Sequence, residues 1–396
     1  MRRALAVLAL GSVVAGLAGC GGHFPLPTES RRPIPSDKSY QMVATWTGMD
    51  GIRDIVLTQG GGTQLFLLFN QGGVGTAPRG AVGVYARLKP TGPQSSVPDI
   101  AFHQLFNPVG VAVGGDGGAG TANRVFVLDQ GDTCLARSNP TSGSCSDTTG
   151  KWTNEVRDLA VYWHVREYGL LGGDTMTTFT DTSMAFVNGI AADAQGRVYV
   201  SGAAVLYVSD PIDPRLKTRA FLWRVNRYLR GPKGPGVYDL YMPGSPHWHR
   251  DTAWVVADGS GIGTVQDPRG IFWSPNGGGA LYAADFGKNW VQKLSDQISS
   301  TGEFNIDGST SPGGLLFLGP VDVVADLQGF IYVVDAGNQR VLRYDGTGAY
   351  VQDVNVETDA FHNKLKDPVC VAADDSLVFV GDPGRAEVIR YYKRRL

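Results

Sequence analysis

A short unit that recurs through this chain restricts its fold more than any other feature. The clearest copy is PVDVVADLQGFIYVVDAGNQRVLRY, from Pro320 to Tyr344. Val321–Ala325 is a β-branched run, Asp326–Gly329 is a tight turn, and Phe330–Val334 is a second apolar run. Asp335–Asn338 turns again, and Val341–Tyr344 opens a third strand. Strands of about five residues joined by Asp/Gly/Asn turns describe an antiparallel meander. Three such strands alone are barely stable, because one face has nothing to pack on. Recurrence of the unit is therefore the property that matters.

The opening strand recurs as PVGVAV from Pro108, VNGIAA from Val187, PRGIFW from Pro268, PVDVVA from Pro320 and PVCVAA from Pro368, with a weaker copy, IRDIVL, from Ile52. The second strand recurs at Val125–Leu128, Val198–Val200, Leu281–Ala283, Ile331–Val334 and Val378–Val380, and weakly at Leu65–Phe69. Asp129, Asp285, Asp335 and Asp382 follow it, each six residues before an apolar residue of the third strand: Leu135, Val291, Val341 and Val388. The third strand then reads CLAR, WVQKL, RVLRY or EVIRYY. Opening slots at 52, 108, 187, 268, 320 and 368 make six units, spaced 56, 79, 81, 52 and 48 residues apart. The two long spacings need insertions. The first holds a Ser/Thr/Gly-rich loop and the run Leu159–Tyr168, which suits an outer strand. The second holds Pro211–Lys217, the strand Phe221–Asn226 and a Pro/Gly-rich stretch to His249.

Composition agrees with many short strands. The chain has 54 Gly and 22 Pro in 396 residues, where average usage would supply roughly 48 of the two together. Hydrophobic content of 42% is ample for a core, and a net charge of −2 gives no electrostatic case for nucleic acid or an anionic membrane surface.

The unit resembles the NHL-repeat β-propeller family. The P-x-G-[IV] opening, the aromatic-V-x-x-D-x-G step (clearest in IYVVDAGNQRVLRY) and the basic-aromatic close carry the resemblance over residues 50–396. It is weak at 50–90, and Gly202 replaces the aspartate in the third unit. The resemblance implies an all-β, six-bladed propeller of four-stranded antiparallel blades around a central channel. An open array would leave a strand edge and an end face exposed. The last unit supplies three strands before the chain ends, and Tyr40–Thr47 is left over at the other end. It is expected to close the ring as the last blade's fourth strand. The expected organisation is residues 1–19 as signal peptide, 20–39 as tether and 40–396 as propeller.

The N-terminus reads as a targeting segment. Arg2 and Arg3 precede a short apolar run, Ala4–Val14, and then Leu17-Ala18-Gly19-Cys20. This resembles the bacterial lipobox, in which cleavage precedes a lipid-bearing cysteine. The resemblance implies lipidation of Cys20 and a bacterial cell-envelope location. Gly21, where an aspartate would mark inner-membrane retention, leans towards the periplasmic side of the outer membrane in a Gram-negative host. The only expected membrane attachment is this anchor. Gly21–Lys38, with four prolines, reads as an extended spacer. In an oxidising compartment Cys134 and Cys145 are expected to form a disulfide that pins a surface loop, and Cys370, within an apolar run, to be a buried free thiol.

No catalytic constellation stands out. Asp129, Asp285, Asp335 and Asp382 precede turns and are expected to accept backbone N–H bonds, as are Asp193, Asp326 and Asp374 in the first hairpins. The glycine clusters at 60–62, 114–120 and 277–279 read as hairpins rather than phosphate cradles. His247 and His249 form the only H-x-H pair, too loosely set to read as a metal site. Tryptophans and arginines, the favoured anchors of binding surfaces, stand near the opening strands: Trp46, Arg53, Arg79, Trp163, Trp248, Trp254, Arg269, Trp273 and Trp290. About a third of these are assigned to function, against the plainer reading that half of them fill the spaces between blades. The positions that vary among otherwise similar units are Arg53, Asn188, Arg269 and Asp322 after the opening slot, with His103 and His362 just before it. These six are the candidate binding residues. The expected function is a non-catalytic binding scaffold for an envelope protein, peptide or glycan, without a cofactor. The alternative, implied by the family resemblance, is a zinc- or calcium-dependent lyase or lactonase with its site at the channel mouth.

Overall fold

The computed structural model describes residues 40–49, 51–58, 64–70, 80–86, 101–105, 107–115, 124–130, 163–170, 177–181, 183–209, 217–231, 248–295, 302–354 and 365–393. They form six four-stranded antiparallel sheets. Blade 1 holds β2 (Ile52–Leu57), β3 (Gln64–Asn70), β4 (Gly80–Ala86) and β5 (Ala101–Leu105). Blade 2 holds β6 (Pro108–Gly114), β7 (Arg124–Asp129), β8 (His164–Gly169) and β9 (Thr177–Phe179). Blade 3 holds β10 (Phe186–Ala192), β11 (Val198–Ser209), β12 (Lys217–Arg230) and β13 (Trp248–Val256). Blade 4 holds β14 (Pro268–Ser274), β15 (Ala280–Asp285), β16 (Trp290–Ser295) and β17 (Gly302–Ile306). Blade 5 holds β18 (Pro320–Ala325), β19 (Ile331–Asp335), β20 (Arg340–Tyr344) and β21 (Tyr350–Asp353). Blade 6 holds β22 (Cys370–Ala373), β23 (Leu377–Asp382), β24 (Glu387–Lys393) and the N-terminal β1 (Tyr40–Thr47).

The first strands of the blades neighbour one another in the cycle β2, β6, β10, β14, β18, β22 and back to β2. The sheets are therefore arranged as a closed ring, a six-bladed β-propeller. The closure is made as expected: β1 pairs antiparallel with β24, from Tyr40 opposite Lys393 to Thr47 opposite Glu387. The core is divided among the six blade junctions. One apolar cluster fills each, and the tryptophans sit in them: Trp163 and Trp248 between blades 2 and 3, Trp254 and Trp273 between 3 and 4, and Trp46 between 6 and 1. These five side chains are buried, so most of the Trp/Arg set read from the sequence belongs to packing.

The turn aspartates behave as their positions suggest. Asp129 accepts from the amide of Asn107 (2.8 Å), Asp285 from Gln266 (3.0 Å), Asp335 from Leu318 (2.7 Å) and Asp382 from Lys366 and Asp367 (2.7 and 2.9 Å). All four are fully buried. Each ties the end of a second strand to the segment leading into its own blade. That end of the ring is called the inlet face below, and the end carrying the turns between first and second strands the hairpin face. On the hairpin face Asp193, Asp326 and Asp374 cap their turns, as Asp326 does by accepting from Gln328 and Phe330 (3.0 and 2.9 Å).

Two elements differ from the sequence reading. The third strand of blade 2 is β8, His164–Gly169, paired with β7 from Asp129 opposite His164. It is not CLAR at 134–137, and the run 159–168 is not an outer strand. The insertion falls between strands two and three, and Leu135, six residues after Asp129, lies outside the described residues. In blade 3, β11 and β12 run on past the inlet face as a long hairpin. Gly202 stands where the turn aspartate would be, because no turn is made there. A Cβ at Gly202 would collide with the backbone of Phe186 and Val187, to which the extended strand is paired.

Candidate functional site

The site grows out of an irregularity shared by the first strands. In blades 1 to 5 the pairing of strand one with strand two slips just after the opening slot: between Ile52 and Asp54, Pro108 and Gly110, Val187 and Gly189, Pro268 and Ile271, and Pro320 and Asp322. A bulge frees its extra residue from the ladder and re-aims its side chain. The freed residues are Arg53, Val109, Asn188, Arg269 (with Gly270) and Val321, and Val369 stands just before β22 in blade 6. All of them line a cavity of about 370 Å³ on the ring axis. The repeat thus places one side chain per blade at the inlet mouth without dictating its chemistry.

Arg53 is exposed there. Among the described residues it has no hydrogen-bond or ion-pair partner. Arg269 is held on the opposite side of the ring by Asp267 (3.2 Å), with its guanidinium 3.4 Å above the Phe286 ring. Its side chain keeps 41% of its exposure. Asn188 donates to the other oxygen of Asp267 (3.0 Å) and to the carbonyl of Pro268 (3.1 Å), linking blades 3 and 4. Asp267 adopts a left-handed backbone, φ 73°, an unfavourable state for a residue with a side chain. Asn70 donates to Asn107 (2.5 Å) on the blade 1–2 side.

Deeper in the cavity stand two carboxylates in equivalent seats. Asp54 accepts from its own following amide, Ile55 (2.7 Å), and from Val111 of the next blade (2.7 Å). Asp322 accepts from Val323 (2.9 Å) and from Val371 of the next blade (2.8 Å). Each latches two first strands together at the channel wall. Removal from water raises both: Asp322 is pushed up to about 7, and Asp54 is raised by burial and then by the negative charge of Asp322. Between them lies Cys370, a free, buried thiol raised chiefly by burial. Asp326 and Asp374 line the far end of the cavity.

Of the six candidate binding residues, the structure brings Arg53, Asn188, Arg269 and Asp322 to this one cavity. Arg53, Asn188 and Arg269 share the bulge position, whereas Asp322 is one residue further on and lies inside. His103 is on β5, but its side chain, like all of His362, lies outside the described residues. Cys20, Cys134, Cys145, Arg79 and His247 also lie outside them. Asp54 was missed, although a signal existed: aligned on the opening slot it occupies the position of Asp322. Among the described residues no group of three or more His, Cys, Asp or Glu side chains is placed to hold a metal ion. His249 gives its ring Nδ1 to the carbonyl of Gly231 (2.6 Å). His164 is half-buried and pushed down to about 4, first by loss of hydration.

The arrangement offers guanidinium and amide donors at the mouth, an apolar wall, and carboxylate oxygens within. Such a pocket suits recognition of a group that is anionic or hydrogen-bond accepting at its outer end. Compared with known proteins, the chain matches no protein-family model and no curated protein.

Proposed function

We propose that this protein is an envelope-anchored lipoprotein with an NHL-like propeller that acts as a non-catalytic binding scaffold. Its ligand, an envelope protein, peptide or glycan, docks at the inlet mouth of the channel. One observation carries this reading: the bulge position repeats in backbone geometry around the ring but differs in side chain. A position kept only for packing would hold one residue type, as the turn position nearly does, with aspartate in four of the six blades. Arg53 supports it further, being an exposed cation without a described partner. In the same reading the chain is cut before Cys20, lipidated there, and bridged between Cys134 and Cys145.

Arg53→Ala with Arg269→Ala tests the mouth. A photoreactive residue in place of Val321 reports occupancy in intact cells. The expected result is a discrete crosslinked adduct that falls at least ten-fold in the double variant, with folding retained, since Arg53 is exposed and the Arg269–Asp267 pair is open enough to water to contribute at most about 1 kcal/mol. An undiminished adduct, or a double variant that does not fold, overturns the proposal.

A further inference from the structure

Among the described residues, blade 3 carries an arm that the other blades lack. Beyond Gly202, β11 and β12 continue as a ribbon of seven pairs, from Ala203 opposite Trp223 to Ser209 opposite Lys217. At about 3.4 Å per residue it extends roughly 24 Å from the inlet face. On its inner side β10 reaches only as far as Ala203, and on its outer side β13 reaches only Val225. Residues 204–209 and 217–224 therefore pair with each other and with no third strand among the described residues.

A two-stranded ribbon is marginal in water and normally exposes polar side chains on at least one face. This one is apolar on both. Phe221 and Trp223 stack at 5.9 Å on one face, beside Val205, and Leu206 and Leu222 share the other. Leu206 and Phe221 keep 46% and 41% of their exposure. The charges are one-sided as well. Within the ribbon β12 carries Lys217, Arg219 and Arg224, β11 carries none, and neither strand has an acidic residue. Like charges oppose the pairing of two copies through their β12 edges. They favour an incoming strand with carboxylates opposite the cations.

We propose that the free β12 edge, residues 217–224, takes up an extended segment of a partner polypeptide, with alternating apolar and acidic side chains, as a third strand. This site is separate from the channel mouth and does not rest on the function proposed for it.

The probe is a ten-residue alternating Val/Glu peptide with a fluorophore, titrated against the full chain. Controls are its Val/Lys counterpart and two versions of the Val/Glu peptide N-methylated at odd or at even residues. Expected are saturable binding of the Val/Glu peptide and at least ten-fold weaker binding of Val/Lys. One N-methylated form should lose at least ten-fold and the other should not, because only one set of amides faces the edge. Lys217→Glu with Arg219→Glu, two positions on one face of the strand, should invert the charge preference, and Arg53→Ala with Arg269→Ala should leave binding to the arm unchanged. Equal binding of both charge forms, equal behaviour of the two N-methylated forms, or no saturable binding overturns the proposal. Dimerisation at micromolar concentration that Lys217→Glu with Arg219→Glu alters would instead assign the arm to a second copy.

Discussion

Asp54 and Asp322 make the strongest residue-scale statement about stability. Both oxygens of each are used to latch neighbouring first strands, yet burial holds both groups towards their protonated forms. A carboxyl raised in the folded state binds protons there that the unfolded chain has already released. Its contribution is fully present below the unfolded value near 4 and is lost as pH rises through the folded value, about 7 for Asp322. Thermal stability is therefore expected to fall between pH 4 and pH 7, by up to about 4 kcal/mol for Asp322, and to level off above. Asp322→Asn should flatten that profile while lowering its acid end. A wild-type melting temperature that rises across this window would refute the assignment. Asp322 was legible in the sequence as a residue that breaks the pattern of its slot. Its twin Asp54 holds the same offset from the opening slot, but in the weakest copy of the unit, where that offset stands out least. The turn aspartates were legible because a turn constrains its own few residues and needs no distant information.

Elements follow the same rule of locality. The first three strands of blades 4, 5 and 6 were legible one by one, since short turns fix the offset between them; the fourth strands, β17 and β21, were not. Blade 2 was not, because a long insertion between its second and third strands cut the link between sequence distance and pairing. In blade 3 the missing turn residue at Gly202 was visible, but the meaning of the gap, an extended arm, is a tertiary fact. The closing strand was legible by elimination: blade 6 lacked a fourth strand and β1 lacked a sheet. Its removal gives a test. Deleting residues 21–38 should leave the melting temperature within about 1 °C. Deleting 21–47 exposes the edge of β24, empties the site of Trp46 and frees Tyr40 from Tyr332 (hydroxyls 2.8 Å apart). Loss of a buried tryptophan alone costs about 3–5 kcal/mol. A drop of more than 5 °C is expected, and equal midpoints would mean that β1 is dispensable to the ring.

At the scale of the whole molecule, the ring separates a repeated scaffold from the few positions free to carry specificity. β1 runs from the hairpin face, where Tyr40 meets Tyr332 beside Asp326, to the inlet face. The chain preceding Tyr40 therefore joins the propeller at the end away from Arg53 and Arg269. For a lipid-anchored protein this attachment leaves the mouth clear of the tether's root. Cys20→Ser should move the protein from the membrane to the soluble fraction and abolish incorporation of labelled palmitate. Continued membrane retention and labelling would remove the anchor from the proposal.

The pairing of β1 with β24 has a consequence in time. Strand one of the sequence waits for the last strand before it has any partner, Tyr40 opposite Lys393. At about 5–20 residues per second of synthesis, that wait is roughly 20–70 s. Five blades can assemble during it, but Trp46 stays uncovered, because Phe379 and its other blade 6 neighbours are made only at the end of the wait. The closing contact also has nearly the greatest sequence separation the chain allows, so it comes late and slowly. For that interval YQMVATWT is an unpaired β-former, and the fate of a newly made chain depends on what holds it until its other end arrives.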